Sequence, residues 1–379
     1  MHMANYGQCI FEETLYRLLM NSLPSYDVRY LDYSPRNRYY HELLRAFKPH
    51  PNALTHNLKR YIQSERFHRR NVRIEKPSLF YPLGYEKMVG FLRRRNYDAL
   101  VTTMVVWDIS NLAELPRFPN IYWLSEKILS KKIAYAVSGH RSNIDLVQKN
   151  LSTIQRILGS YALIGVRDHL TWKIVLDSKV DQYVPVIKVP DLAFMFEKPP
   201  TDIRTILTTH NVDINQPVLG ILLYGKPEFS KALCSFYRSK GFQTVALSMY
   251  NPYADINLGH LISPHEWADA FKYLSFCVTD RLHGTIFCLK NNIPFISIEP
   301  GALETIDNSK IYSLLSDFDL FECYMDVLQV NFKMADFLER SEELRKAWER
   351  DYQYRVSVKV KEMQSRSLDF INQVKLVLS

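Results

Sequence analysis

The chain has 379 residues, 47% of them hydrophobic and 23% charged, and its formal net charge is +8. This length exceeds what one hydrophobic core usually organises, so we expect two domains of about 150 to 200 residues each. The longest apolar runs, 217–224 and 293–298, are far shorter than the roughly 20 residues that a membrane-spanning helix needs. The positive charge is compatible with binding to an anionic ligand, a phosphorylated lipid carrier or nucleic acid. Charge alone does not distinguish these ligands.

The amino terminus shows no basic region followed by an apolar stretch and a cleavage site. We therefore expect a cytoplasmic protein, either free or peripheral at the inner face of the membrane. Basic clusters at 66–70 and 93–95 are either a docking surface or solvated helix faces. The cysteines are odd in number and widely spaced, which favours reduced, buried thiols over disulfides or zinc ligands. They are Cys9, Cys234, Cys277, Cys288 and Cys323.

Along the chain, residues 5–8 precede a helical pattern at 12–19 and have almost no residues before them that could form a strand. From about residue 97, short β-rich runs alternate with helix-length segments, which predicts βαβ units and parallel sheets covered on both faces. The predicted strands are residues 99–106, 133–137, 162–166, 218–223, 243–247, 276–279 and 295–298.

A charged segment with two prolines, 196–200, stiffens the backbone near the middle of the chain, and we place the domain boundary there. After about residue 333, apolar residues recur at spacings of three and four, which predicts a long pair of terminal helices. The expected division is an amino-terminal domain at 1–197, a second domain at 198–332 and a helical segment at 333–379.

The strongest chemical signal lies at 275–298, which predicts a strand, a loop, a short helix and a second strand. At the carboxyl end of a parallel strand, the following helix directs free N–H groups into the crevice, where anions bind. Arg281 offers a fork for carboxylate or phosphate, His283 titrates near neutrality, Gly284 permits close approach and Thr285 offers a hydroxyl. Alternatively, Arg281 only pairs with Asp280 and His283 only caps the helix, but the position at a strand end favours a ligand site.

Asp280 to Gly284 resembles the Asp-[Arg/Ser]-x-His-Gly motif of polysaccharide pyruvyl transferases. Further segments resemble that family in the same order, over about residues 5 to 320: 5–8, 164–168, 189–194, 263–267 and 309–311. The resemblance implies a fold like that of GT-B glycosyltransferases, with two Rossmann-like α/β domains facing across a cleft. It also implies transfer of a pyruvyl group from phosphoenolpyruvate to a sugar hydroxyl of an exopolysaccharide or cell-surface glycan, often as a pyruvate ketal.

The resemblance makes Arg281 and His283 the catalytic and donor-binding pair and adds Arg167 as a second cation of the cleft. Lys226, after the strand ending near Tyr224, either reaches the donor phosphate or stays exposed in its loop. The donor side also includes Gly284 and Thr285.

A weaker assignment concerns the acceptor side. It comprises Asn5, Tyr6, His140, Asp168 and Asp191. Of these, His140 either forms the opposite wall of the cleft or is an exposed loop histidine.

No His, Asp and Glu cluster has metal-ligand spacing, so we expect no metal and no cofactor besides the donor substrate. The expected partners are phosphoenolpyruvate and a saccharide acceptor, free or lipid-linked; we expect no nucleic acid, and the oligomeric state is left open. Two alternatives remain. One is a GT-B glycosyltransferase that uses a nucleotide sugar. The other is a non-catalytic glycan-binding relative, suggested by the apolar segment 102–106 where many family members are polar.

Overall fold

Two parallel β-sheets succeed one another along the chain in the structure, a computed structural model that describes residues 5–33, 51–75, 84–113, 115–197, 201–329 and 331–379. Among the described residues, three helices precede the first sheet: α1 (Tyr6–Ser22), α2 (Pro51–Asn71) and α3 (Tyr85–Arg95). Short 3₁₀ turns connect many of the later elements. They are Ile121–Trp123, Val180–Gln182, Leu192–Met195, Leu258–His260, Phe271–Tyr273, Ile306–Asn308 and Phe321–Cys323.

The first sheet pairs its strands in chain order. The strands are β1 (Ala99–Val105), β2 (Lys131–Ser138), β3 (Leu163–Val166) and β4 (Val186–Lys188), with α4 (Ile144–Lys149), α5 (Leu151–Leu158) and α6 (His169–Asp177) between them. All of β2 except its first residue is buried, as expected of a parallel strand covered on both faces. The loops that follow β2 and β3 both begin at the same edge of this sheet, because the two strands are parallel.

The second sheet has the strand order β10-β9-β8-β5-β6-β7, all parallel. Its elements are α7 (Ile203–Thr209), β5 (Val218–Leu222), α8 (Pro227–Ser239), β6 (Gln243–Ala246), β7 (Ile256–Asn257), α9 (Pro264–Ala270), β8 (Phe276–Thr279), α10 (Leu282–Lys290), β9 (Phe295–Ile298), α11 (Lys310–Asp317) and β10 (Tyr324–Met325). This is the doubly wound order of mononucleotide-binding folds, in which the chain reverses direction between β5 and β8. The crevice at that reversal is where such sheets bind ligands.

The chain ends in α12 (Met334–Ala347), a π-helical turn (Trp348–Tyr352) and α13 (Gln353–Leu378). Val356 and Met363 of α13 belong to the core of the second sheet, whereas Phe370 and Val374 belong to the core beneath the first. The other terminal helix, α1, also contributes to both cores. The terminal helices therefore join the two sheets.

The predicted GT-B-like architecture is confirmed, with two parallel α/β units and long terminal helices. The predicted strands match those of the structure within two residues at each end, and the short edge strands β4, β7 and β10 were not predicted. The domain limits remain predictions, and 198–200 lie outside the described residues. All five cysteines are free and buried, as expected. In the described part of the chain, no helix is both long and apolar enough to cross a membrane.

Candidate active site

The loop between β8 and α10 is tied to the loop after β5 by Asp280. Its buried Oδ2 accepts a 2.7 Å hydrogen bond from the backbone N–H of Tyr224, and its own N–H donates to Leu222 O at 3.0 Å. Burial raises the pKa of Asp280, and the neighbouring Arg281 opposes that rise. The aspartate of the motif thus joins the two loops that flank the switch point.

Arg281 is the N-cap of α10 and stands at the mouth of this crevice. Its Nε lies 2.9 Å from Asp280 Oδ1, and its guanidinium carbon lies 5.1 Å from the centre of the Tyr224 ring. The pairing with Asp280 that the sequence left open is therefore present. The side chain nevertheless keeps 40% of its surface exposed, which leaves it accessible to a ligand.

Arg167, Asp191 and His283 form a second cluster, to which both sheets contribute. Arg167 follows β3 and places Nη1 2.5 Å from Asp191 Oδ2. His283, in the first turn of α10, places Nε2 3.6 Å from the same oxygen. Burial alone would raise the pKa of Asp191, but its interactions with His283 and Arg167 outweigh that effect and hold the pKa well below its usual range.

This second cluster contains buried hydrogen-bond donors without partners. The Arg167 side chain is only 9% exposed, yet its Nε and Nη2 donate no hydrogen bond to any described residue. The same holds, within the described part of the chain, for Nε2 of His283, whose side chain is 14% exposed. Leaving a buried donor unsatisfied costs about 1–3 kcal/mol, so such groups call for an explanation. A bound anion would provide it.

Lys310, the first residue of α11, extends this positive charge. Burial and, after it, the charges of Arg167, Arg141 and Arg281 together lower its pKa to about 8. Four cationic side chains thus influence one another at the carboxyl ends of the strands. Such an arrangement is stabilised by an anionic ligand.

The loop after β2 supplies the remaining wall. Arg141 is fixed by Asp108, with Nη2 and Oδ2 2.7 Å apart. His140 is partly buried, and its Nδ1 lies 3.2 Å from Ser138 Oγ. Burial, followed by the charge of Lys310, lowers the pKa of His140 well below its usual range. The structure thus places His140 beside the cationic cluster, as a neutral imidazole at neutral pH.

Comparison with known proteins identifies the family. The model of the polysaccharide pyruvyl transferase family matches residues 19–301 of the 379. The chain belongs to the polysaccharide pyruvyl transferase family. Among curated proteins, no sequence matches this chain significantly.

Solved structures share only a distant overall likeness with this pyruvyl transferase family member. Sucrose-phosphate synthase from Thermosynechococcus elongatus is 13% identical, with a TM-score of 0.47 over 81% of this chain and 82% of that one. The calicheamicin glycosyltransferase CalG4 is 14% identical, with a TM-score of 0.45 over 98% and 94%. At these scores, neither structure bears on the activity of this chain.

The remaining donor-side residues of the pyruvyl transferase motif differ in their surroundings. Thr285 is fully buried, and its Oγ1 lies 2.7 Å from Ser297 Oγ, inside the domain. A Cβ at Gly284 would lie 2.3 Å from Thr279 Oγ1, so this glycine allows α10 to approach β8 closely. Lys226 donates to Pro300 O at 3.3 Å and lowers the pKa of Asp280, which places it at the crevice.

Of the acceptor-side predictions, Asp191 and His140 lie in or beside the cationic cluster just described, and the other residues are engaged elsewhere. Asn5 caps α1 by accepting from Gln8 N at 3.3 Å. Tyr6 is buried against Arg60, whose guanidinium carbon lies 4.2 Å from its ring centre. Asp168 caps α6 and is buried. Their acceptor roles remain untested predictions.

Sequence reasoning gave no role to Lys310, Arg141 or Asp108. Of these residues, only Lys310 lies in a segment, 309–311, that resembles the pyruvyl transferase family. That segment lies beyond the residues that the family model matches. An isolated lysine or ion pair has no periodicity to reveal it, so folding alone brings these groups together. Among the described residues, no group of His, Cys, Asp and Glu side chains could hold a metal ion.

Proposed function

We propose that this protein transfers a pyruvyl group from phosphoenolpyruvate to a hydroxyl group of a saccharide. The observation that carries the proposal is the buried Arg167, two of whose donors are unsatisfied among the described residues. The nearby cations Arg281 and Lys310 add to the positive charge there. Phosphoenolpyruvate presents a carboxylate and a phosphate close together, and these suit an arginine fork beside further positive charges.

Several residues of the crevice have separate roles in binding the donor. Arg167 and Arg281 hold the carboxylate and the phosphate, assisted by the free N–H groups at the start of α10. Lys310 contributes charge where phosphate leaves, and the anion in turn stabilises its protonated form. Asp191 fixes the orientation of Arg167 and stays ionised, because its pKa is depressed.

His283 moves the proton in the proposed reaction. The sugar oxygen forms a bond to C2 of the enol phosphate, while His283 delivers a proton to C3 and receives the proton that the hydroxyl loses. The C2–O bond to phosphate then breaks, and the surrounding cations stabilise the departing phosphate. A second hydroxyl of the same sugar attacks C2 and closes the ketal, and its proton leaves with the phosphate.

The acceptor class that we propose is an exopolysaccharide or cell-surface glycan, either free or lipid-linked. Family membership supports a saccharide acceptor. The basic residues 93–95 are exposed at the end of α3, directly before β1 begins, and so lie at the opposite edge of the sheet from the active site. A membrane contact through those arginines would therefore not present a lipid-linked acceptor directly to the crevice.

Thermal unfolding with and without phosphoenolpyruvate tests the donor, because a ligand that binds only the folded state raises the melting temperature. We expect a rise in the wild-type protein that is absent in Arg167→Ala and Arg281→Ala. Arg350→Ala is the matched control, since Arg350 has a side chain 79% exposed and, among the described residues, pairs only with Asp351 on the surface. A rise that survives both crevice substitutions would contradict the assignment.

The glycosyltransferase alternative is tested in the same experiment. A helix N-terminus at the switch point also suits the diphosphate of a nucleotide sugar, and the fold does not distinguish the two donors. UDP-glucose is the probe. If it raises the melting temperature and phosphoenolpyruvate does not, the donor is a nucleotide sugar.

A further inference from the structure

A cavity of ≈160 Å³ adjoins the crevice, between α2 and the loops that follow β5 and β6. Tyr224 is one of the residues that line it. The same tyrosine carries the Arg281 guanidinium over its ring and donates its backbone N–H to Asp280. The cavity and the proposed donor site therefore share a wall.

The lining of this cavity is aromatic, polar and almost uncharged. Lys226 is the one residue with a charged side chain among the described residues that line it, and the others include Tyr224, Tyr250, Tyr253, Asn57, Asn251 and Ser230. The adjacent crevice, in contrast, collects Arg167, Arg281 and Lys310. Anionic groups therefore belong in the crevice, and the cavity suits a neutral ligand.

The loop after β6 is held rigid where it borders the cavity. Asn251 accepts from the backbone N–H of Tyr253 at 3.0 Å and donates its own N–H to Asn257 Oδ1 at 2.7 Å. Asn257 in turn donates to the carbonyl of Asn251 at 3.0 Å. A rigid loop presents its aromatic side chains without a large loss of entropy on binding.

A sugar ring has the matching chemistry. Its C–H faces pack against aromatic rings, and its hydroxyl edge exchanges hydrogen bonds with amides and hydroxyl groups. The volume of ≈160 Å³ suits one sugar ring. We propose that this cavity binds the sugar residue that accepts the pyruvyl group, with its reactive hydroxyls directed past Tyr224 to the donor. This inference rests on the proposed function.

The proposal is tested by saturation-transfer NMR with the methyl β-pyranosides of galactose, mannose and glucose as probes. We expect at least one of them to bind the wild-type protein. Tyr250→Ala, which removes an aromatic contact, should weaken that binding by up to about tenfold. Ser230→Leu should abolish it by filling the cavity from α8 while leaving every aromatic ring in place. Tyr354→Ala is the control, because Tyr354 is 84% exposed on α13.

The melting-temperature rise with phosphoenolpyruvate is measured on the same variants and separates this inference from the proposed function. The acceptor site is supported if both folded variants keep the rise while the sugar signal weakens in Tyr250→Ala and disappears in Ser230→Leu. If the rise is present while none of the three glycosides binds, or while binding persists in Ser230→Leu, the acceptor site is wrong and the donor assignment stands. If uridine monophosphate binds instead and Ser230→Leu abolishes its signal, the cavity is a nucleotide site.

Discussion

Gly7 and His283 are in such close contact that a Cβ on Gly7 would lie 2.3 Å from both Cβ and Cγ of His283. Carbon atoms do not approach one another so closely, so only glycine fits in this first turn of α1. On its other side, the imidazole lies 3.6 Å from Asp191. The position of the proposed proton-transfer group is therefore set by a residue with no side chain, more than two hundred positions away in the sequence.

Gly7→Ala should impair catalysis more than folding. The added methyl group displaces the His283 ring, and a misplacement of about 1 Å at a reacting group costs about a hundredfold in rate. We expect kcat for pyruvyl transfer to fall by that order, with an overpacking cost of about 1–3 kcal/mol in the free energy of unfolding. Gly90→Ala is the control, since its Cβ would meet only Arg94 Nη1 at 3.5 Å. Equal rates for Gly7→Ala and the wild type would show that the ring position is not critical.

Binding of phosphoenolpyruvate should weaken as the pH rises through the pKa of Lys310, which is about 8 in the free protein. Below that pH the lysine is charged and attracts the anion, whereas above it the charge is lost. The donor phosphate, with a second pKa of about 6, stays fully ionised over this range. Lys310→Arg should remove the alkaline decline, because arginine stays charged. Calorimetric titration from neutrality to well above pH 8 measures this, and an unchanged decline in Lys310→Arg would assign it to another group.

Thr285→Val should lower stability and leave donor affinity nearly unchanged. The buried hydroxyl pairs with Ser297 at 2.7 Å, and its loss leaves a buried partner unsatisfied at a cost of about 1–3 kcal/mol. Thr209→Val changes an exposed threonine whose hydroxyl donates to Thr205 O within its own helix, and its stability should stay within about 0.5 kcal/mol of the wild type. Urea unfolding measures the change in stability, and calorimetric titration measures the affinity for phosphoenolpyruvate. A large loss of affinity for phosphoenolpyruvate would support the donor role that the sequence suggested for Thr285.

Asp191→Asn should destabilise the protein at neutral pH and abolish one source of acid sensitivity. The carboxylate has a folded pKa below its ordinary value of 3.8, so its contribution is present above that value and is lost as the pH falls towards the folded pKa. Breaking a buried pair costs about 3–5 kcal/mol at pH 7. Urea unfolding should therefore show a gap between the two proteins that narrows below about pH 4. A gap that stays constant as the pH falls well below 4 would show that the carboxylate pKa is not depressed.

The sequence predicted most of the second sheet because its signals are local. Phe276–Thr279 and Phe295–Ile298 are short, mostly apolar runs bounded by turns, and the structure has strands with the same limits. The edge strand Ile256–Asn257 has two residues and is fixed only by its pairing with β6. No pattern in so short a segment predicts a strand.

The site was predictable only where its residues lie close together in sequence. Arg281 and His283 stand within one helical turn of a strand end, and that context indicated a ligand site. The shared contact of Arg167 and His283 with Asp191 depends on packing between the two sheets. The same is true of Thr285, whose hydroxyl the fold turns towards Ser297.

The two cores that meet along α13 also have an order of assembly. During synthesis the first sheet is complete once β4 has left the ribosome, yet the ring of Tyr135 packs at 4.9 Å against Phe370, near the end of the chain. Val189 lies in the same core and is also covered by residues of α13. The part of the first sheet's apolar face that α13, rather than α1, covers thus stays exposed until α13 has been translated. A nascent chain of this protein is expected to depend on chaperones through most of its synthesis.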